Sequence, residues 1–149
     1  MPAKKATAEP DGFSAEERAA MKERAAELRA EGKKGAKKAD GLEAALAAIA
    51  AMTPEDRALA ERVHVTVTTT APELEPRTWY GMPAYVNAAG KVVVFFQNSA
   101  KFTYRYSTLG FQEDAHLDDG DMWPTAYALL GWSPSVEKSV VELVKAAVA

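Results

Sequence analysis

Hydrophobic residues recur with a helical period in several stretches of the chain, and the first stretch is mostly charged. After residue 14, Met21, Ala25 and Leu28 form a thin apolar stripe. Ser14 followed by Glu17 matches a capping box, which predicts a helix from residue 15 to about residue 30. Glutamates and arginines on this helix can form weak ion pairs with each other. So thin a stripe would allow the helix to remain detached from the rest of the chain.

A lysine-rich linker at residues 32–38 separates this helix from an alanine-rich stretch at residues 42–52. Leu42, Leu46 and Ile49 fall on one face of that stretch, and its high helix propensity predicts a short second helix. Residues 1–12 have nothing to bury and are expected to form a disordered tail.

Residues 54–69 carry two competing patterns. Thr53 followed by Pro54 is a strong helix start, with a capping threonine and a proline in the first helical position. Residues 63–68 alternate like a strand, yet Leu59, Val63 and Val67 repeat every four residues from that start. We therefore interpret residues 54–69 as a helix, which Pro72 ends.

The remaining pattern is mainly that of β-strands, closed by a last helix. Expected strands cover residues 84–87, 91–97 and 125–130. The alternation in residues 101–107 predicts a further strand, followed by a polar loop at residues 110–121. Ser133-Pro134 begins a helix whose inward positions should be Val136, Val140, Leu143, Val144 and Ala147.

This order of elements predicts an α+β fold. We expect an antiparallel sheet of about four to five strands covered by helices on one face, with the N-terminal charged helix appended. Residues 1–40 would be a tail, a charged helix and a linker, and residues 41–149 the folded domain. Residues 1–40 hold ten Lys/Arg and eight Asp/Glu, whereas residues 41–149 hold eight and thirteen. The folded part is therefore acidic, which makes nucleic acid an unlikely partner.

The composition and the absence of certain motifs exclude further classes of protein and of functional site. The chain has no cysteine, so disulfides, thiolate metal sites and cysteine nucleophiles are absent. No apolar run is long enough to span a membrane, and no secretory signal is recognisable, so a cytoplasmic protein is expected. No phosphate-binding glycine loop and no nucleophile elbow is present. These exclusions favour a protein that is not an enzyme.

Two groups of residues are candidates for binding. The first is an acidic loop, where carboxylates and one imidazole could take a hard cation such as iron; a solvated polar loop is the alternative. Its metal candidates are Asp114, His116, Asp118, Asp119 and Asp121. The second group surrounds the turn that Gly81 and Pro83 predict, and would line a pocket for a small molecule or belong to the core. Its ligand candidates are Trp79, Tyr80, Met82, Tyr85, Lys101 and Trp123.

From about residue 53 onward the chain resembles the YdhG-like family, a bacterial domain of unknown function. The resemblance rests on Trp-Tyr-Gly-Met-Pro-Ala-Tyr at residues 79–85, Gly-Lys-Val-Val-Val-Phe at residues 90–95, and the segment that starts at Lys101. Some members are described as frataxin-like iron chaperones, so the resemblance implies an α+β sandwich and iron handling at an acidic surface. Many members have a histidine after the central strand, where this chain has Asn98-Ser99-Ala100.

Three functions therefore stay open at the level of sequence. The leading hypothesis is a binding protein that holds iron loosely through surface carboxylates. The second is a small-molecule or enzymatic pocket near the turn, in which Tyr80 donates a hydrogen bond and Lys101 holds an anion. The third is an interaction module, in which the helices near residues 14–52 dock a protein partner or a second copy of the chain.

Overall fold

The computed structural model describes residues 12–32 and 38–149 of the chain. The predicted tail and linker lie mostly outside these residues. The described helices are α1 (Ala15–Glu31), α2 (Lys38–Ala50), α3 (Pro54–Thr70) and α4 (Pro134–Val148). The described strands are β1 (Glu75–Trp79), β2 (Met82–Val86), β3 (Val92–Gln97), β4 (Ser107–Phe111) and β5 (Ala126–Leu129). A short 3-10 helix, Ser99–Lys101, follows β3.

The five strands form one antiparallel sheet in the order β1-β2-β3-β4-β5. Each strand pairs with the next along the chain, so the sheet is a simple meander. The register shifts once, between Tyr85 and Val86, where β2 meets β3. The prediction of an α+β fold with an antiparallel sheet is confirmed.

One face of the sheet carries the main hydrophobic core. Val94 pairs with Phe111 and Phe96 pairs with Leu109, and all four side chains are buried. Because residues alternate between faces along a strand, these four share one face. Buried residues of α3 and α4 pack against them, namely Val63, Val67, Val140, Val144 and Ala147.

The opposite face is built around Phe95, which alternation places there. A Cβ atom added to Gly110 would collide with the Phe95 ring, so glycine is required for the ring to lie over β4. Trp79 packs edge-on against Phe95, with 5.2 Å between the ring centroids. This face is therefore covered partly by its own aromatic side chains.

Helix α2 packs against the edge strand β1. A Cβ atom on Gly41 would lie 2.6 Å from the Pro76 carbonyl oxygen, so the two backbones touch there. Helix α2 begins at Lys38 and so spans the predicted domain boundary at residue 40.

The predicted helices are confirmed, including the ambiguous one. In α3, Val63 and Val67 are fully buried while Val65 is 61% exposed, which is a helical period and not the alternation of a strand. The Thr53 hydroxyl accepts a hydrogen bond from the Asp56 backbone N–H, as the predicted cap requires. Among the described residues, no helix combines the length and apolar character needed to cross a membrane.

One predicted strand is wrong. Residues 101–107 do not form a strand with Phe102, Tyr104 and Tyr106 on one face. The 3-10 helix ends at Lys101, Thr103 has a positive φ of 58°, and β4 begins only at Ser107. The strand therefore begins where the predicted one was to end, and it extends through Gly110 and Phe111, the first two residues of the predicted loop. The hydrophobic contacts of Leu109 and Phe111 with β3 explain this register, since these two side chains are buried whereas Tyr104 is exposed.

Candidate functional site

The hairpin that joins β1 to β2 has a strained two-residue loop. Trp79 pairs with Met82, which leaves only Tyr80 and Gly81 in the loop. Both have positive φ, 53° for Tyr80 and 77° for Gly81, as a type I′ turn requires. Glycine adopts this conformation freely, but a residue with a side chain pays about 1–3 kcal/mol for it. Such strain in a tyrosine points to a role for this loop.

The loop presents its two backbone N–H groups to a carboxylate of α1. Tyr80 N–H donates to Glu27 Oε1 at 2.9 Å, and Gly81 N–H donates to Glu27 Oε2 at 2.8 Å. Consecutive N–H groups aimed at one point form an anion-binding concavity. The Glu27 side chain is only 10% exposed, and Arg24 Nη1 lies 3.2 Å from Oε1. The loop is therefore a carboxylate-binding site, and residue 27 of the same chain occupies it.

Two more glutamates of α1 extend this contact. Glu23 Oε1 lies 2.8 Å from Lys101 Nζ, and Glu31 Oε1 lies 3.8 Å from Arg77 Nη1. We call Glu23, Glu27 and Glu31 the acidic ladder, because a spacing of four places them on one face of the helix. We call their partners, Arg77, the Tyr80–Gly81 loop and Lys101, the receiving surface.

Glycine at position 81 also allows the close approach of α1. A Cβ atom there would collide with the Glu23 carboxylate, whose second oxygen would lie 2.7 Å away. The apolar stripe of α1 faces outward, with Met21 43% and Leu28 53% exposed. Helix α1 thus contacts the domain through its acidic face and is not detached from it.

Four of the predicted pocket residues take part in packing or in the receiving surface. Trp79 contacts the rings of Tyr80 and Phe95, and Met82 is buried. Tyr80 and Lys101 both belong to the receiving surface, where the Tyr80 backbone N–H and the Lys101 ammonium group bind different glutamates of the acidic ladder. Trp123 is half-buried in the segment before β5.

Tyr85 belongs to the core and not to a ligand site. It is completely buried, and its hydroxyl lies 2.9 Å from His64 Nδ1. Burial raises the pKa of Tyr85 and lowers the pKa of His64, so both groups are neutral near pH 7. The hydrogen bond between the Tyr85 hydroxyl and His64 Nδ1 therefore joins two neutral groups.

The acidic loop does not assemble its predicted metal ligands. Asp114 accepts a hydrogen bond from Asn87 Nδ2 at 2.8 Å, while His116 Nδ1 donates to the Ala149 backbone oxygen at 2.8 Å. Asp118, Asp119 and Asp121 are exposed. Across residues 12–32 and 38–149, which include the whole loop, no three acidic or histidine side chains are grouped to hold a metal ion. The chain turns at Gln112–Ala115, where the Ala115 N–H donates to the Gln112 carbonyl oxygen. Iron binding here stays a prediction without a preformed site.

A buried carboxylate that the sequence did not single out lies at the start of α3. Asp56 accepts hydrogen bonds from Ser99 Oγ at 2.7 Å, Ala100 N–H at 3.0 Å and Asn98 Nδ2 at 3.4 Å. Burial alone would raise the pKa of Asp56, but these donors outweigh it and hold the pKa below its usual value. Asp56 therefore stays ionised and fastens α3 to the 3-10 helix. In the sequence it is a typical acidic residue of a first helical turn, which concealed this role.

Comparisons with known proteins found no relative of this chain. No protein-family model matches the chain, and no curated protein or solved structure is significantly similar to it. The resemblance to the YdhG-like family accordingly stays a prediction.

Proposed function

We propose that this protein is a non-enzymatic binding module that recognises an acidic helix of a partner protein on its receiving surface. The observation that carries the proposal is the acidic ladder. Three carboxylates at a spacing of four residues contact a lysine, a pair of backbone N–H groups and an arginine in turn. Helix α1 acts as a built-in occupant of this surface.

The receiving surface suits a helix with carboxylates on consecutive turns. Residues four apart on a helix lie about 6 Å from each other along one face. The central carboxylate receives two charge-assisted hydrogen bonds in a fixed orientation, which selects a planar group with two oxygens. Lys101 and Arg77 add charge attraction on either side, so a helix with glutamates at only one position would bind less well.

Helix α1 is attached weakly enough for a partner to displace it. Among its described residues only Ala20 is buried, so detaching it exposes little apolar surface. The ion pairs of Glu23 and Glu31 are partly exposed and contribute about 0–1 kcal/mol each, so most of the polar attachment comes from Glu27. A partner must still compete with a tethered helix, whose effective concentration is on the order of millimolar.

A helix supplied in trans tests this proposal. We would titrate an unlabelled peptide of residues 12–32 into the isotope-labelled full-length chain and into its E23Q/E27Q double variant, and follow the Tyr80 and Gly81 amide signals by NMR. The double variant weakens its own α1, so we expect it to bind the peptide at least tenfold more tightly than the unaltered chain does.

Matched peptides decide whether the ladder is responsible. A peptide with E27Q should bind at least tenfold more weakly, whereas one with E16Q, which lies outside the ladder, should bind normally. Equal binding of the E27Q peptide, or no binding to the double variant, would contradict the proposal.

A further inference from the structure

A separate cleft shares no residue with the receiving surface, although both include part of the 3-10 helix Ser99–Lys101. It is bounded by the first turns of α3, the 3-10 helix, the segment that leads into β4 and the segment between β5 and α4. Its volume is about 360 Å³, which falls in the range of small-molecule sites. A small ligand, such as one with a single bicyclic ring, would fit its dimensions.

Hydrogen bonds hold the floor of this cleft. Asp56 binds Ser99 and Ala100, and Ser99 N–H donates in turn to Ser107 Oγ at 3.0 Å. These contacts join α3, the 3-10 helix and β4. The Asp56 carboxylate is buried and already accepts three hydrogen bonds. It therefore holds the floor of the cleft together and does not bind a ligand.

The walls offer apolar and aromatic surface. Leu59 and Leu129 line the interior, and Tyr106 and Trp132 stand half-buried at the sides. Trp132 Nε1–H donates to Glu137 at 3.2 Å, which orients the indole ring. An aromatic or other flat apolar group would gain contact area here without displacing a core side chain.

Two arginines supply positive charge at the mouth. Neither Arg62 nor Arg105 forms an ion pair with another residue in the described part of the chain. The Arg105 guanidinium lies 5.2 Å from the centre of the Tyr106 ring, which positions it over the cleft wall. Guanidinium groups bind carboxylates and phosphates through paired N–H donors.

We propose that this cleft binds a small aromatic anion, whose ring packs against Leu59 and Trp132 while its acidic group is held by Arg62 and Arg105. This site goes beyond the recognition of an acidic helix. Glu55 also lines the cleft and is exposed, so it disfavours a ligand with more than one remote negative group.

Matched probes test the charge requirement on the full-length chain. We would titrate 2-naphthoate, 2-naphthyl phosphate and the neutral 2-naphthamide, following amide signals of the cleft residues by NMR. We expect at least one of the two anions to bind with a submillimolar Kd, at least tenfold more tightly than the amide. The stronger of the two then indicates whether the natural acidic group is a carboxylate or a phosphate.

Matched variants test the residues. R62Q and R105Q should each weaken binding of the anion at least threefold, and together at least tenfold. R57Q is the control, because Arg57 is exposed on the same helix but does not line the cleft. All three arginines are exposed, so thermal unfolding should confirm that the variants remain folded.

Three results would overturn this proposal. They are equal binding of the amide, an equal loss in R57Q, and the absence of cleft shifts with either anion at millimolar concentration. Because the acidic ladder is not involved, each result leaves the outcome of the peptide titration unchanged.

Discussion

Helices α1 and α4 start in the same way and attach to the sheet in opposite ways. Each has a serine N-cap whose hydroxyl accepts a hydrogen bond from the third helical residue, Ser14 from Glu17 and Ser133 from Val136. Helix α4 then buries an apolar stripe in the core, whereas α1 presents carboxylates to polar groups and buries only Ala20 of its described residues.

The difference shows that capping signals specify a helix but not its role in the fold. An apolar stripe makes α4 part of the cooperative core. A row of carboxylates gives α1 a directional attachment with little buried area, and such elements open at a lower free energy than the core does. Three changes would break or sharpen this contrast.

The largest effect on stability should come from a change in the apolar stripe of α4. Val144 is fully buried, so Val144→Ala removes two methyl groups and leaves a cavity. We expect the free energy of unfolding to fall by about 2 kcal/mol, measured by urea denaturation. Val65→Ala on exposed α3 surface is the matched control and should change it by less than about 0.5 kcal/mol. Similar effects from both would mean that α4 is not anchored as described.

An intermediate effect is expected at the hairpin loop. Gly81 and Gly90 have nearly the same φ, 77° and 79°, but only at Gly81 would a Cβ atom meet another group, the Glu23 carboxylate. Both glycine-to-alanine changes should cost about 1 kcal/mol for the backbone. Gly81→Ala should in addition speed hydrogen exchange in α1, because the Glu23 carboxylate must move away.

Hydrogen exchange in α4 serves as the internal reference for this pair. Any acceleration that α1 and α4 share reflects the common loss of global stability. If α1 exchanges equally fast in the two variants, the receiving surface does not hold the helix.

The smallest expected effect is on the pH dependence of stability, and it comes from His64 in α3. Burial holds the pKa of His64 below its ordinary value of 6.5, so the unfolded chain takes up a proton at higher pH than the folded protein does. The stability from neutral His64 is therefore fully present above about pH 6.5 and is lost as the pH falls through the lower folded pKa.

His64→Gln should flatten the fall in urea midpoint between pH 7.5 and pH 5 that the unaltered chain shows. Helix α1 contains no histidine, so its exchange relative to that of α4 should not follow this transition. An unchanged pH slope in His64→Gln would mean that protonation of His64 does not cause the loss of stability.

Local patterns predicted most of the helices and the class of fold. The well-capped start at Thr53 decided the nature of α3 correctly, because Leu59, Val63 and Val67 continue a helical face from it. The strand alternation of residues 63–68 was a coincidence of β-branched residues, which helices accept when tertiary packing favours them.

The failures have a common physical cause. Alternation in residues 101–107 resembled a strand, but pairing with β3 is set by which side chains become buried, and that information is not local. The receiving surface was missed for a similar reason. Glu23 and Glu27 were read as partners for arginines of the same helix, and Arg24 does pair with Glu27 and also with Glu31. Nothing in the local sequence shows that the Tyr80–Gly81 loop lies opposite them.

The contact between Gly41 and Pro76 has a consequence for how the sheet meets other molecules. Unpaired edge strands invite pairing with strands of other chains. On β1, Pro76 lacks an N–H donor and its carbonyl is covered by the backbone of α2 at Gly41. A larger residue at position 41 would lift α2 from this edge, so we expect glycine there to limit the pairing of β1 with strands of other chains.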